Sequence, residues 1–203
     1  MQENIKVVLQ ALKKRGISCS YAADKEQALG ELSGLVAKGC SVGIGGSMTV
    51  QELDVESVLK ERGCRVFWHW RVKQEEVQET LRQAMLADVY LSSTNAITLD
   101  GRLVNVDGRG NRVASMIFGP EKVVIIAGKN KIVNDLEATL DRIKKVACPQ
   151  NARRLQLETP CAETDNCTDC SSAERMCNVT TIIEGNPNGV KMHVLLVGEN
   201  LGF

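Results

Sequence analysis

The stretch Ser41-Val42-Gly43-Ile44-Gly45-Gly46-Ser47-Met48-Thr49, "SVGIGGSMT", sets the frame for the rest of the chain. An apolar run enters a loop rich in glycine and hydroxyl side chains, and Thr49 with Glu52 forms a T-x-x-E signature that opens a helix. Strand, glycine loop, helix is the succession expected of a layered α/β protein. Glycines let main chain approach a ligand closely, and free N–H groups at a helix start favour negative charge. The spacing is neither G-x-x-x-x-G-K-[ST] nor G-x-G-x-x-G, so a nucleotide site does not follow from it. Gly45, Gly46, Ser47 and Thr49 are therefore candidates for holding a small anion, with a plain tight turn and a helix-capping threonine as the alternative.

The same alternation extends on both sides. Ile5, Val8, Leu9 and Leu12 recur at helical spacing before Gly16, and "ISCSYA" (17–22) reads as a strand. Asp24 with Gln27 opens a second helix, which runs to about Lys38. Beyond the glycine loop a helix continues through "LDVESVLKERG" to Gly63. Strand "CRVFW", helix "EEVQETLRQAML" and strand "DVYLSS" follow. "AITLDGRLVNVDG" reads as a β-hairpin turning at Asp100-Gly101, and a short helix occupies 110–117. "KVVIIAG" is a buried strand, and the helix after it is terminated or kinked by Pro149. "NVTTIIEG" and "VKMHVLLVG" close the chain as an antiparallel pair across Asn186–Gly189. The expectation is one α/β domain over 1–203. Its sheet is layered and mostly parallel, with an inserted β-hairpin, a C-terminal antiparallel pair and a cysteine-rich loop at 157–177.

Composition narrows the function. Of 203 residues 43% are apolar and 25% charged, with formal net charge +0, so no overall field draws nucleic acid or an anionic membrane. Aromatic residues make up only 3%, too few for a base-stacking surface. No apolar run reaches bilayer length, and "MQENIKVVLQALKKRG" lacks the apolar core of a signal peptide, so a cytoplasmic protein without membrane insertion is expected.

A second polar group surrounds the hairpin. It includes Ser92, Ser93, Thr94 and Asn95, and Thr94 and Asn95 sit just beyond a predicted parallel strand, where open α/β sheets place their ligands. Asp107 is a candidate general base, and Arg109 or Arg112 can hold a carboxylate or phosphate in a forked contact, with Asn111 beside them. Asp-Gly and Gly-Asn are also ordinary turn dipeptides, so loop bracing is the competing role. In "FWHWR", His69 reads as a packing or hydrogen-bonding residue, and His193 lies within a strand.

Cys161, Cys167, Cys170 and Cys177 are spaced C-x5-C-x2-C-x6-C, and four thiolates in one segment can hold zinc or an iron–sulfur cluster. Free thiols and a redox disulfide are the alternatives. Cys19, Cys40 and Cys64 fall in or beside strands and read as small core residues, while Cys148 is a possible extra ligand.

Taken together, "GIGGSMT", "STNAITLDGRLVNVDGRGNRVASMIFGP", "VIIAGKNKIV", "NARRL" and "HVLLVGENLGF" resemble the LUD-domain family of lactate-utilisation proteins. "TPC…C…C…RMC" is similar to its cysteine-bearing branch. The resemblance covers nearly the whole chain. It implies a fold similar to sugar-phosphate isomerases, CoA transferases and formyltetrahydrofolate cyclo-ligase. Gly45, Gly46, Ser47 and Thr49 would then line a site opposite Thr94, Asn95, Asp107 and Asn111. It also implies a role in oxidation of lactate or another organic acid, alongside subunits that carry iron–sulfur clusters. Three functions stay open: binding of a small anionic metabolite, a CoA- or folate-type transferase or ligase using Asp107 and Glu52, and a metal-containing electron-transfer or interaction module.

Overall fold

The computed structural model describes residues 2–203. Its centre is a six-stranded, wholly parallel sheet formed by β1 (Ser18–Ala22), β2 (Ser41–Ile44), β3 (Arg65–Trp68), β4 (Val89–Ser92), β7 (Lys122–Gly128) and β10 (Lys191–Val197). Their order across the sheet is β1-β10-β7-β4-β2-β3. A second, mixed sheet holds β5 (Ala96–Thr98), β6 (Leu103–Asp107), β8 (Ile132–Val133) and β9 (Val179–Ile183), in the order β8-β5-β6-β9.

The period of two along each strand divides the interior. In β7, Val124 and Ile126 join one core while Val123, Ile125 and Ala127 join the other. Leu195 and Val197 of β10 part from Val194 and Leu196 in the same way. The first core is closed by α2 (Lys25–Leu35), α3 (Met48–Leu53) and α4 (Glu56–Glu61), through Ala28, Leu32, Val50, Leu53 and Leu59. The second is closed by α1 (Glu3–Lys14), through Ile5, Val8 and Leu12, and by the inner residues Ile97 and Leu103 of the second sheet. Strands buried on both faces explain why the central runs are continuously apolar.

The layered, mostly parallel architecture and the hairpin of β5 and β6 match expectation, but the C-terminal antiparallel pair does not form. β9 pairs antiparallel with β6, whereas β10 enters the main sheet in parallel between β1 and β7. The reason lies in their side chains. Val179–Ile183 alternates in burial, as suits a strand covered on one side. In β10 both faces of Val194–Val197 are buried, which only a central position satisfies. Asn186 then bridges the connection, donating to Pro187 O and Val190 O and accepting from Met192 N–H.

Two helices also differ. The helix after the glycine loop is capped by Ser47, whose Oγ accepts from Val50 N–H, and it breaks at Asp54, which is left-handed at φ 54°. The helix after β7 runs without a break as α7 (Leu136–Arg142), a π-helical turn (Ile143–Ala147) and α8 (Cys148–Arg154), so Pro149 lies inside it and does not terminate it. The π-helical turn, which Cys148 N–H closes on Ile143 O, stands directly before the proline, whose missing N–H interrupts the regular bonding there. The remaining helices are α5 (Val77–Met85), α6 (Asn111–Ile117) and α9 (Pro160–Thr164). No described helix is long and apolar enough to cross a membrane.

Candidate functional site

The chain crosses from the main sheet to the second sheet twice. Ser93, Thr94 and Asn95 carry β4 into β5, and the 3-10 turn Lys129–Lys131 carries β7 into β8. The carboxyl ends of parallel strands meet here, and a cleft of about 550 Å³ opens over them. One wall is Gly46, Ser47 and Met48. Facing it are Asp107, Gly108, Arg109, Asn111 and Arg112. Ser93, Thr94, Asn95 and Lys131 also line it, and His69, Trp70, Cys148, Asn151, Arg154 and Phe203 reach it from other elements.

Arg112 organises the junction. Its Nη1 donates to Ser93 O (3.1 Å) and Asn105 Oδ1 (2.8 Å), and its Nη2 to Asn95 Oδ1 (2.9 Å) and Val106 O (2.8 Å). Nε lies 3.7 Å from Asp107 Oδ1. The guanidinium is thus committed to the protein. Asp107 is similarly occupied: Oδ2 accepts from the main-chain N–H of Arg112 (3.1 Å) and Val113 (3.2 Å), capping α6. Asn95 Oδ1 also accepts from Val106 N–H, and Thr94 Oγ1 donates to the carbonyls of Ala96 and Val104.

Among the described residues four cationic side chains line the cleft, Arg109, Arg112, Lys131 and Arg154, against one carboxylate side chain, that of Asp107. Arg109 is exposed and makes no side-chain hydrogen bond or ion pair among the described residues. Arg154 lies 4.7 Å over the Trp70 ring and donates to Asn151 Oδ1. Burial, then the Arg109 charge, lowers the pKa of His69 below the usual imidazole value, and its buried Nδ1 has no hydrogen-bond partner among the described residues.

Lys131 was not singled out by sequence. It is only 4% exposed, and its Nζ donates to Ser93 Oγ at 2.9 Å. Burial first, then the Arg142 and Arg112 charges, depress its pKa to about 7. The available signal was its place at the end of the most apolar strand. Nothing local foretold that the 3-10 turn would direct the amine inward.

The glycine-loop candidates separate. Gly46 and Ser47 line the cleft, while Gly45 sits behind them. A Cβ at Gly45 would come within 2.7 Å of Tyr90 Oη and 3.2 Å of Arg112 Cγ. Thr49 is fully buried outside the lining and donates to Leu201 O (3.2 Å). Glu52 also lies outside the lining; its Oε2 accepts from Gly202 N–H (2.8 Å), tying down the C-terminal residues. With Asn130, which accepts from Leu201 N–H and donates to Gly202 O, these contacts place Phe203 at the cleft. His193 lies outside the cleft, its two ring nitrogens bonded to Ser18 and Ser20.

The cysteines of 161–177 stand as free, half-buried thiols near Cys148. Burial and then the neighbouring thiols of Cys177, Cys161 and Cys167 push the Cys148 pKa up to about 12. Among the described residues no three His, Cys, Asp or Glu side chains are grouped as a metal ion requires. Arg175 shapes the segment instead, donating to Cys170 O and Cys177 O and pairing with Asp169.

Residues 5–197, almost the entire chain, match the LUD domain. The chain belongs to the LUD domain family. The fold of this LUD domain is also similar to the crystal structure of a DUF162 family protein from Deinococcus radiodurans. The TM-score is 0.54 at 12% identity, covering 97% of this chain and 99% of that one. Among curated proteins no significant match was found. At that identity the likeness speaks for the fold alone.

Proposed function

We propose that this LUD domain binds a small anionic metabolite, a short-chain carboxylate of organic-acid oxidation, in the cleft between the glycine loop and the Asp107–Arg112 segment. The observation that carries the reading is the excess of cations over carboxylates in the lining. Arg112 and Asp107 bind the protein, so the charges offered to a ligand are those of Arg109 and Arg154, with Lys131 beneath. Gly46 and Ser47 add main chain to the opposite wall. Lactate or a related acid fits the family's association with lactate utilisation, and a partnership with iron–sulfur oxidoreductase subunits rests on that association as well.

Calorimetric titration with L-lactate, pyruvate and the uncharged lactamide tests the proposal. The acids bind and the amide does not, and Arg109→Ala with Arg154→Ala weakens the acids about 10- to 100-fold, as loss of charge-assisted hydrogen bonds does. Equal affinity for lactate and lactamide sinks it.

A further inference from the structure

We propose that Lys131 is a nucleophile that condenses with the carbonyl group of a 2-oxo acid held in the cleft, forming a covalent imine, with the Ser93 hydroxyl as proton relay. The inference rests on the anion-binding reading and deepens it, because it names the second functional group a ligand must carry.

The geometry supports it from several sides. The Lys131 ammonium position is buried, lines the cleft and has one hydrogen-bond partner among the described residues, Ser93 Oγ at 2.9 Å. Among the described residues no carboxylate forms an ion pair with it; Glu52, the acidic group acting on it, bonds Gly202 N–H instead. The charges nearest in effect are the guanidinium groups of Arg142 and Arg112, both fixed by main-chain carbonyls. Burial beside other cations is how proteins free an amine lone pair near neutrality, and the depressed pKa agrees. A purely structural lysine is normally paired or kept at the surface. Here a buried amine sits under a cleft whose mouth carries Arg109 and Arg154, so a ligand with adjacent carboxylate and carbonyl groups would satisfy both levels.

The step balances without a redox partner. The amine lone pair forms the N–C bond as the carbonyl π pair moves to oxygen. A proton passes from nitrogen to that oxygen through Ser93 Oγ. The resulting carbinolamine then passes its second N–H proton to the hydroxyl through the same relay as the C–O bond breaks, so oxygen leaves as water and the nitrogen lone pair completes the C=N bond. Amine plus carbonyl gives imine plus one water.

Full-length protein is incubated with pyruvate, the simplest 2-oxo acid, and sodium cyanoborohydride, which reduces an imine to a stable secondary amine. Intact mass and peptide mapping then locate adducts, while calorimetry with L-lactate, which lacks the carbonyl, reports anion binding separately. The expected result is one adduct per chain on Lys131, absent in Lys131→Met and Lys131→Arg. In Ser93→Ala the same adduct forms about 10- to 100-fold more slowly, the range of a lost general acid–base group. Lactate binding without a Lys131 adduct overturns the imine and leaves the anion site standing. Absence of both overturns the two together. Adducts scattered over surface lysines without preference for Lys131 also overturn the imine.

Discussion

Lys131 and Gly43 show how much depends on single positions. Lys131 is held well below an ordinary lysine pKa. In the unfolded chain the amine stays protonated to about pH 10, so between pH 7 and that value the unfolded state binds more protons and stability rises with pH. Below pH 7 both states are protonated and the penalty of burying the charge is constant. Lys131→Met is therefore expected to stabilise the protein at pH 6.5 by up to about 4 kcal/mol, and by much less at pH 10. Urea unfolding at the two pH values measures the difference. At Gly43 a Cβ would stand 2.3 Å from Ala84 O and 2.8 Å from Ala84 Cα, both main chain, so α5 must shift. Gly43→Ala should destabilise by about 1–3 kcal/mol, read from the same unfolding curves.

At the scale of elements, Arg112 on α6 ties the β4–β5 crossover to β6, because it bonds Ser93, Asn95, Asn105 and Val106 at once. Lysine keeps the charge but not the planar fork, so Arg112→Lys leaves buried acceptors unpaired and should cost about 2–4 kcal/mol. Hydrogen exchange in that variant should speed up at residues 93–96 and 104–107 while α1 stays protected. Much of this level was legible in the sequence. The turn at Asp100-Gly101 announced the hairpin, and the alternating strands and helices announced the parallel sheet. The destination of the last two strands was not, since adjacency along the chain suggested a hairpin, yet the fully apolar β10 fits only between β1 and β7. Thr49 and Glu52 sat in a capping pattern, but Ser47 took the cap, and both residues anchor the C-terminal segment. A pattern of types cannot foresee a partner 150 residues away. The Lys131–Ser93 contact escaped notice for the same reason, as it joins two crossovers from different strands.

For the whole molecule, net charge is +0, yet the cleft concentrates cations at the ends of the central strands. Binding of an acid there should weaken with salt less than a surface contact would, because the site is recessed. The C-terminal residues belong to the same assembly, since Asn130 and Glu52 hold them against the cleft. Asn130→Ala should accordingly raise exchange at 47–53 and at 201–203 together, as measured by hydrogen exchange with mass spectrometry. The most direct test of the central claim is calorimetric titration of the wild-type protein with L-lactate and with lactamide, side by side, at pH 7. Saturable one-to-one binding of the acid with no heat from the amide is the predicted result. Identical behaviour of the two, or heat from neither acid nor amide, would contradict recognition of small acids by this cleft.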